Sequence, residues 1–296
     1  MTAAGHERGL SVRAAGPQCT VQDAGRPGHA AMGVGLSGAA DLLALRLANR
    51  LVANPADTAA LEIVLGGLRV VAHGTLTVAV TGANCSVSID GRAVGTNAAL
   101  TVPDGATLTL GTATRGLRCY LAVRGGLRVE AVLGSRSTDT LADLGPPQLV
   151  PDMWLPVGAP PKQLPNVDTV PGLPVPDTEA VLRVILGPRA DWFAAEAHER
   201  LLSEEFIVTS RSDRVGMRLS GPTLTRSHDG ELPSEGMVPG SVQVPPDGEP
   251  VLFLADHPVT GGYPVLAVVV SRDLRHAAQA RPGTRLRFTA RARSCY

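Results

Sequence analysis

Ten of the 24 prolines in this chain crowd between Pro146 and Pro176, in PPQLVPDMWLPVGAPPKQLPNVDTVPGLPVP. Proline lacks a backbone donor and fixes φ, so this stretch cannot be regular helix or a central strand. Most regular structure must therefore come from the residues on either side. This predicts one subdomain over 1–145, an extended connection over 146–176 and a second subdomain over 177–296, with exchange of strands between the subdomains allowed for.

The flanking segments are short, rich in Val, Leu and Thr, and closed by Gly, Asn-Pro or Asp-Gly. Examples are GGLRVVAHGTLTVAVTG, AALTVPDGATLTLG and LRCYLAVRGG before the connection, and AVLRVILGP, EFIVTSRS, VLFLAD and TRLRFTA after it. Such spacing predicts antiparallel sheets or barrels. Asp90-Gly91, and the Pro-Asp-Gly runs at Pro103 and Pro246, are tight-hairpin signals. Three helices interrupt the pattern. The first has Ser37 as cap, Asp41 in its first turn, and Leu42, Leu45, Ala48, Leu51 and Val52 at helical spacing. The second lies in RADWFAAEAHERLLSEE, with Trp192 or Phe193, Ala197 and Leu201 on its apolar side. The third is DLRHAAQ, after Ser271. The fold class is mainly β with a few short helices.

Charge and composition remove several function classes. Twenty-seven basic residues balance 27 acidic ones, so no global field favours nucleic acid or an anionic membrane. No apolar run approaches the ~20 residues of a membrane span, and the N-terminal residues lack a signal-peptide core, which predicts a cytoplasmic protein. Cys19, Cys85, Cys119 and Cys295 form no CxxC pair, and the seven histidines form no HExxH, so no metal site is expected. Of the 27 basic residues, 26 are arginine and one, Lys162, is lysine, inside the proline-rich connection. The chain thus has no GxxxxGK[ST] phosphate loop, no Schiff-base lysine on a rigid element and no biotinyl-lysine sequence.

Gly33–Gly38 reads GVGLSG, the letters of a dinucleotide fingerprint. That motif needs a strand before it and a βαβ unit around it. DAGRPGHAAM precedes it and hairpin-like segments follow the helix, so the reading fails. GxSxG fails too, because Ala39 stands where the second glycine belongs. GVGLSG is instead expected to bring the QDAGRPG turn back along the first helix.

Polar residues in glycine-rich turns remain as site candidates. They fall in four clusters: Gln22, Asp23 and Arg26; Ser135 to Asp139, including Arg136 and Ser137; Glu235 and Gln243; and Asp256, Thr260, Gly261, Gly262 and Tyr263. Arginine forks suit carboxylate or phosphate oxygens, and carboxylates orient amide N–H groups or act as bases. Taken singly, each cluster reads better as a hydrogen-bonded turn than as a site.

These clusters carry a resemblance. GPQCTVQDAGRPGH, GVGLSGAADLLALRLANRLVAN, ALEIVLGG, YLAVRGGL, LGSRSTD, SDRVGMRLSGP, SEGMVPGSVQVPPDGEPVLFLAD and TGGYPVLAVV, in that order, are similar to the KipA-like proteins. That family is also called allophanate hydrolase subunit 2, or the C subunit of bacterial ATP-dependent 5-oxoprolinase. The resemblance implies two cyclophilin-like β-barrel subdomains and a carboxyltransferase-type subunit of an amide hydrolase. The implied partner is a KipI-like protein, in a heterotetramer or larger, acting on allophanate, urea or 5-oxoproline. ATP, and carboxybiotin where it is used, would be supplied through partner subunits, with no cofactor bound covalently here. On the strength of the clustered turns, Asp23, Glu235 and Asp256 are expected to orient or deprotonate the amide. Arg26 and Arg136 would bind anionic groups, with Gln22, Ser137, Gln243 and Thr260 to Tyr263 also holding substrate. Relatives commonly read Gln-Thr-Thr before Gly-Gly-Tyr, where this chain has Pro258, Val259 and Thr260, so the choice of amide stays open. A second implied reading is a non-catalytic subunit that, with its KipI-like partner, inhibits a sensor kinase. Prolyl isomerase activity would follow from barrel similarity alone, and the chain lacks the paired Phe and Arg of cyclophilin sites.

Overall fold

The computed structural model describes residues 8–228, 230 and 232–291; Cys295 lies outside them. Strand accounts for 39% of the structure and helix for 12%, so the fold is mainly β. The described residues form two compact units. One comprises the chain up to Arg26, Asp41–Thr138 and Asp143–Val175; the other comprises Pro27–Ala40, Asp139–Ala142 and the chain from Pro176 onward.

The first unit holds two antiparallel sheets. One runs, in spatial order, Trp154–Pro156, Gly9–Ala15, Leu68–His73, Thr107–Leu110, Val87–Ile89 and Arg92–Val94. The other runs Gln18–Gln22, Ala60–Val64, Arg115–Val123, Leu76–Asn84 and Leu100–Val102. Inward positions alternate along the strands, as a pleated chain with one apolar face requires. Val12, Cys19, Ile63, Val70, Val80, Leu108 and Leu121 meet in one core. The proline-rich connection contributes a strand only at Trp154–Pro156, on a sheet edge, where a missing donor is tolerated.

Helix α1 (Leu42–Leu51) lies on the strands Leu76–Asn84 and Arg115–Val123 and buries Ala44, Leu45, Ala48, Asn49 and Leu51. Its cap is Asp41, whose carboxylate accepts from the Ala44 N–H at 3.1 Å. The expectation of Ser37 as cap is corrected: Ser37 has φ 53° and gives its hydroxyl to another carboxylate, described below.

Asp90 (φ 48°) and Gly91 (φ 77°) turn Val87–Ile89 into Arg92–Val94, the expected tight hairpin. Pro103-Asp104-Gly105 departs from expectation. The strands on either side of it belong to different sheets, so it is a corner between sheets rather than a hairpin. The run at Pro246 does close a hairpin, between Ser241–Gln243 and Val251–Phe253.

In the second unit seven strands close a barrel: Glu179–Leu186, Val265–Val269, Ser241–Gln243, Val251–Phe253, Gly216–Ser220, Glu205–Ser212 and Arg285–Ala290, which returns to the first. The closing pair is parallel; the other neighbours are antiparallel. Closure removes sheet edges. Leu182, Val184, Phe206, Leu219, Val242, Leu252, Leu266 and Phe288 fill the interior. Helix α2 (Ala195–Ser203) buries Ala197 and Leu201, while Ala190–Trp192 forms a separate 3-10 turn, so the expected second helix is broken at Phe193. Helix α3 (Leu274–Gln279) follows Ser271 as expected.

Pro27–Ala40, which contains GVGLSG, belongs to the second unit. The expectation that it returns along the first helix is corrected by the anchoring of Ser37 and Gly38 to Asp256 and Arg214.

Candidate functional site

The predicted residues separate into three constellations, one in the first unit and two in the second. In the first unit Asp23 ends the strand Gln18–Gln22, where an Asx turn forms: its Oδ1 accepts from the Gly25 N–H at 2.8 Å, and Gly25 has φ 88°. The turn at Leu133 and Gly134, both at positive φ, sets Ser135 to Ser137 beside it. Asp23 Oδ1 also accepts the hydroxyls of Ser135 and Ser137, each at 2.6 Å, and Oδ2 accepts the Arg136 N–H at 2.6 Å.

Asp23 is 9% exposed and its carboxylate is surrounded by donors. The Arg136 side chain donates to the Val129 carbonyl. Arg26, buried, donates to the Ser137 carbonyl. Gln22 donates to Thr20 Oγ1 and the Thr138 carbonyl, while its buried Oε1 has no partner among the described residues.

The second constellation is built on Asp256, fully buried with Arg214. Arg214 Nε reaches Asp256 Oδ2 at 2.8 Å and Nη2 reaches Oδ1 at 2.8 Å, a bidentate pair. Ser37 donates to Oδ1 at 2.7 Å, and Thr140 donates both its N–H (2.9 Å) and its hydroxyl (2.8 Å) to Oδ2. Arg214 also donates to the Gly38 carbonyl. Burial pushes the Asp256 carboxyl up, but Arg214, the Thr140 N–H and the Ser37 hydroxyl outweigh it and hold the carboxyl below its ordinary value of 3.8. The pair ties three separate stretches, around Ser37, Thr140 and Arg214, onto one carboxylate.

The third constellation is a small ribbon, Glu235–Gly236 paired with Thr260–Gly261. It brings the third predicted cluster together with Thr260 to Tyr263 of the fourth, whose Asp256 belongs to the second constellation. Gln243 donates to the Tyr263 carbonyl at 3.0 Å, and a methyl placed on Gly261 would come within 2.7 Å of Gln243 Nε2, so only glycine fits there without displacing the amide. Glu235 is half-buried; Arg189 Nε reaches its Oε1 at 2.8 Å, and Arg189 Nη2 bonds the same oxygen. That hydrogen bond holds the Glu235 carboxyl below its usual range. Tyr263 and Thr260 are exposed.

A cavity of about 370 Å³ opens beside Tyr263, lined also by Thr223, Thr225, Arg226 and Pro246. A larger one, about 440 Å³, flanks α1 and the proline-rich connection and contains none of the predicted residues.

Arg214, Thr140, Arg189 and Arg226 escaped sequence reasoning, which weighed arginines only inside glycine-rich turns. A second omission lies in the first unit, where cross-strand neighbours Thr20, Glu62, Tyr120 and Thr81 form a buried polar row. Tyr120 donates to Glu62 at 2.6 Å and accepts the Asp41 N–H at 2.7 Å, and Arg118 stands 3.4 Å from Glu62. Burial first, and then the charges of Glu62 and Asp41, push the Tyr120 phenol well up. The signal was a lone Glu inside the apolar run ALEIV, since a buried charge demands a partner.

Among the described residues no group of three or more His, Cys, Asp or Glu side chains is placed to hold a metal ion. Nor, among the described residues, is any helix long and apolar enough to cross a membrane.

Residues 32–290 match the family model described as carboxyltransferase domain, subdomain A and B. The C subunit of Escherichia coli 5-oxoprolinase is 38% identical over 282 residues, covering 94% of this chain and 90% of that protein. The crystal structure of TTHA0988 superposes with a TM-score of 0.87 at 37% identity, covering 96% of this chain and 56% of that one. The Kluyveromyces lactis urea amidolyase gives 0.89 at 29% identity, covering 97% of this chain but 19% of that far longer one. Across both units, then, the chain belongs to the carboxyltransferase subdomain A and B family, to which its similarity with the 5-oxoprolinase C subunit and urea amidolyase also points.

Proposed function

We propose that this chain is the C subunit of a 5-oxoprolinase-type complex, working with a KipI-like protein on a small amide that carries a carboxylate. The observation that carries the reading is the end-to-end match with the E. coli 5-oxoprolinase C subunit, against a match to only a fifth of the urea amidolyase chain. The Tyr263 cavity supports it. 5-Oxoproline is a lactam with a free carboxylate, whereas urea has none, and Arg226 stands at that cavity.

In this reading the ribbon holds the amide. Both bonds described from Arg189 land on Glu235 Oε1, which leaves Oε2 as acceptor or base for an amide N–H. Thr260, Gly261 and Gly262 would line the amide beside Glu235 and lead into Tyr263, whose backbone carbonyl Gln243 fixes. Asp23 and Asp256 act by orienting: their oxygens are occupied by Ser, Thr and Arg donors, so each holds loops in place. Arg26, through the Ser137 carbonyl, and Gln22, through the Thr138 carbonyl, fix the Ser135 to Thr138 loop from which Arg136 projects. ATP belongs on a partner, and so does biotin where it is used. This chain's single lysine, exposed Lys162, lies in the proline-rich connection and not in a GxxxxGK[ST] sequence.

The test is ATP hydrolysis by the chain co-purified with its KipI-like partner and third subunit, with 5-oxoproline, urea and allophanate offered in turn. Stimulation by 5-oxoproline alone is expected. Stimulation by urea or allophanate instead would overturn the substrate assignment, and stimulation by none would overturn the enzymatic reading.

A further inference from the structure

Two cysteines far apart in sequence meet in the first unit. Cys119 lies in the strand Arg115–Val123, buried; Cys85 directly follows the strand Leu76–Asn84, partly exposed between exposed Asn84 and Ser86. Their sulfurs are 3.5 Å apart, with the Cys119 thiol donating toward Cys85.

The pairing of the two strands slips at this place. Arg115 faces Asn84 and Cys119 faces Gly82, so the three residues between them on one strand oppose a single residue, Ala83, on the other. Gly116 takes φ 72° inside this bulge. A bulged strand has local slack that a regular ladder lacks, and a disulfide requires the sulfurs to close by only ~1.5 Å to reach a bond of ~2.05 Å. Cys19 offers no competing partner. It shares a row with Cys119, but the strand carrying Ile63 stands between them, about 10 Å from sulfur-bearing strand to strand.

We propose that Cys85 is an oxidation site for hydroperoxides, with Cys119 as its resolving thiol. The Cys85 thiolate attacks the distal peroxide oxygen, the O–O bond breaks, and the leaving alkoxide or hydroxide takes a proton to become alcohol or water. Cys85 is then a sulfenic acid. The Cys119 sulfur attacks the Cys85 sulfur, the S–O bond breaks, and water leaves with the Cys119 proton. Two thiols are oxidised by two electrons and one peroxide is reduced by two.

The roles follow from geometry: the outer cysteine meets solvent and the inner one lies behind it. The Cys119 hydrogen bond also lowers the Cys85 thiol below its ordinary value, outweighing the effect of burial, as a reactive cysteine requires. Burial, with Glu62 adding to it, instead pushes the Cys19 thiol up and keeps it inert.

The test uses the full-length, fully reduced chain treated with a modest excess of hydrogen peroxide, alkylated and digested with trypsin without reductant. Cleavage after Arg69, Arg92, Arg118 and Arg124 separates Val70–Arg92, carrying Cys85, from Cys119–Arg124. The expected product is these two peptides joined, two hydrogens lighter than their sum and released by dithiothreitol, with the Cys19 peptide still reduced. Cys119→Ser should lose the link and accumulate sulfinic acid on Cys85. Loss of the Cys85 thiol in the wild-type chain without the linked peptide would overturn the resolving role of Cys119. Persistence of the Cys85 thiol while peroxide is consumed elsewhere in the chain would overturn the site itself. The principal readout is on the wild-type protein, so neither outcome depends on whether a variant folds.

Discussion

Asp256 and Glu235 sit in the same unit and each is paired with an arginine, yet the two pairs differ in almost every physical respect. Asp256 and Arg214 are 0% and 1% exposed in their side chains, bidentate, and surrounded by further donors from Ser37 and Thr140. Glu235 and Arg189 are 26% and 38% exposed, bonded through one carboxylate oxygen, on a two-stranded ribbon whose second strand, Thr260–Gly261, runs two residues ahead of Tyr263. A carboxylate whose lone pairs are filled from inside the fold positions backbone; one with an oxygen to spare at the surface can bind a ligand. Asp23 in the first unit falls on the Asp256 side of this division, with two serine hydroxyls and two backbone N–H groups on its oxygens.

The largest effect that would sharpen the contrast is expected from Asp256→Ala, which strands the buried Arg214 guanidinium. Urea unfolding should show a loss of about 3–5 kcal/mol; a loss below ~1 kcal/mol would erase the difference between the two pairs. Next comes Asp23→Ala, which leaves Ser135, Ser137 and the Arg136 N–H without their acceptor. A loss of about 2–3 kcal/mol is expected in the same assay.

The pH dependence should separate the pairs again. The Asp256 carboxyl titrates in the folded protein below its ordinary 3.8. Its stabilisation is thus complete above about pH 4 and is lost as pH falls through the lower, folded pKa. The stability gap between wild type and Asp256→Asn should narrow only in that acid range. A gap that narrowed as pH rose would contradict the assignment. The smallest effect on stability is expected from Arg189→Ala, below ~1 kcal/mol because both partners of the pair keep a sizeable part of their side chains in solvent, which screens their attraction.

Much of the architecture was legible in the residues themselves. Period-two runs such as Glu179–Leu186 gave strands, Asp90-Gly91 gave its hairpin, and the apolar stripe of Leu45, Ala48 and Leu51 gave α1. Pro103-Asp104-Gly105 misled because a tight turn fixes local chain reversal and says nothing about which sheet receives the next strand. Ser37 misled for a related reason: a hydroxyl four residues before Asp41 looks like a cap until a distant carboxylate competes for it. The four polar clusters could be named from the sequence because glycine-rich turns advertise them, although the fold regroups their residues into three constellations. Their division into saturated and open carboxylates was not, because it depends on Arg214, Thr140 and Arg189, which come from far along the chain. The buried row of Glu62 and Tyr120 was hidden inside strands whose composition reads as core.

The contrast between the carboxylates is tested most directly by measuring kcat/KM and unfolding free energy together for Glu235→Gln and Asp256→Asn. The assay uses the proposed complex with a KipI-like partner and the amide that stimulates its ATP hydrolysis, 5-oxoproline in the proposed reading. Glu235→Gln should lose about 100-fold or more in kcat/KM, the range for a general base, while its stability stays within ~0.5 kcal/mol of wild type. Asp256→Asn should lose stability by several kcal/mol. Full turnover in Glu235→Gln, or wild-type stability in Asp256→Asn, would contradict the account.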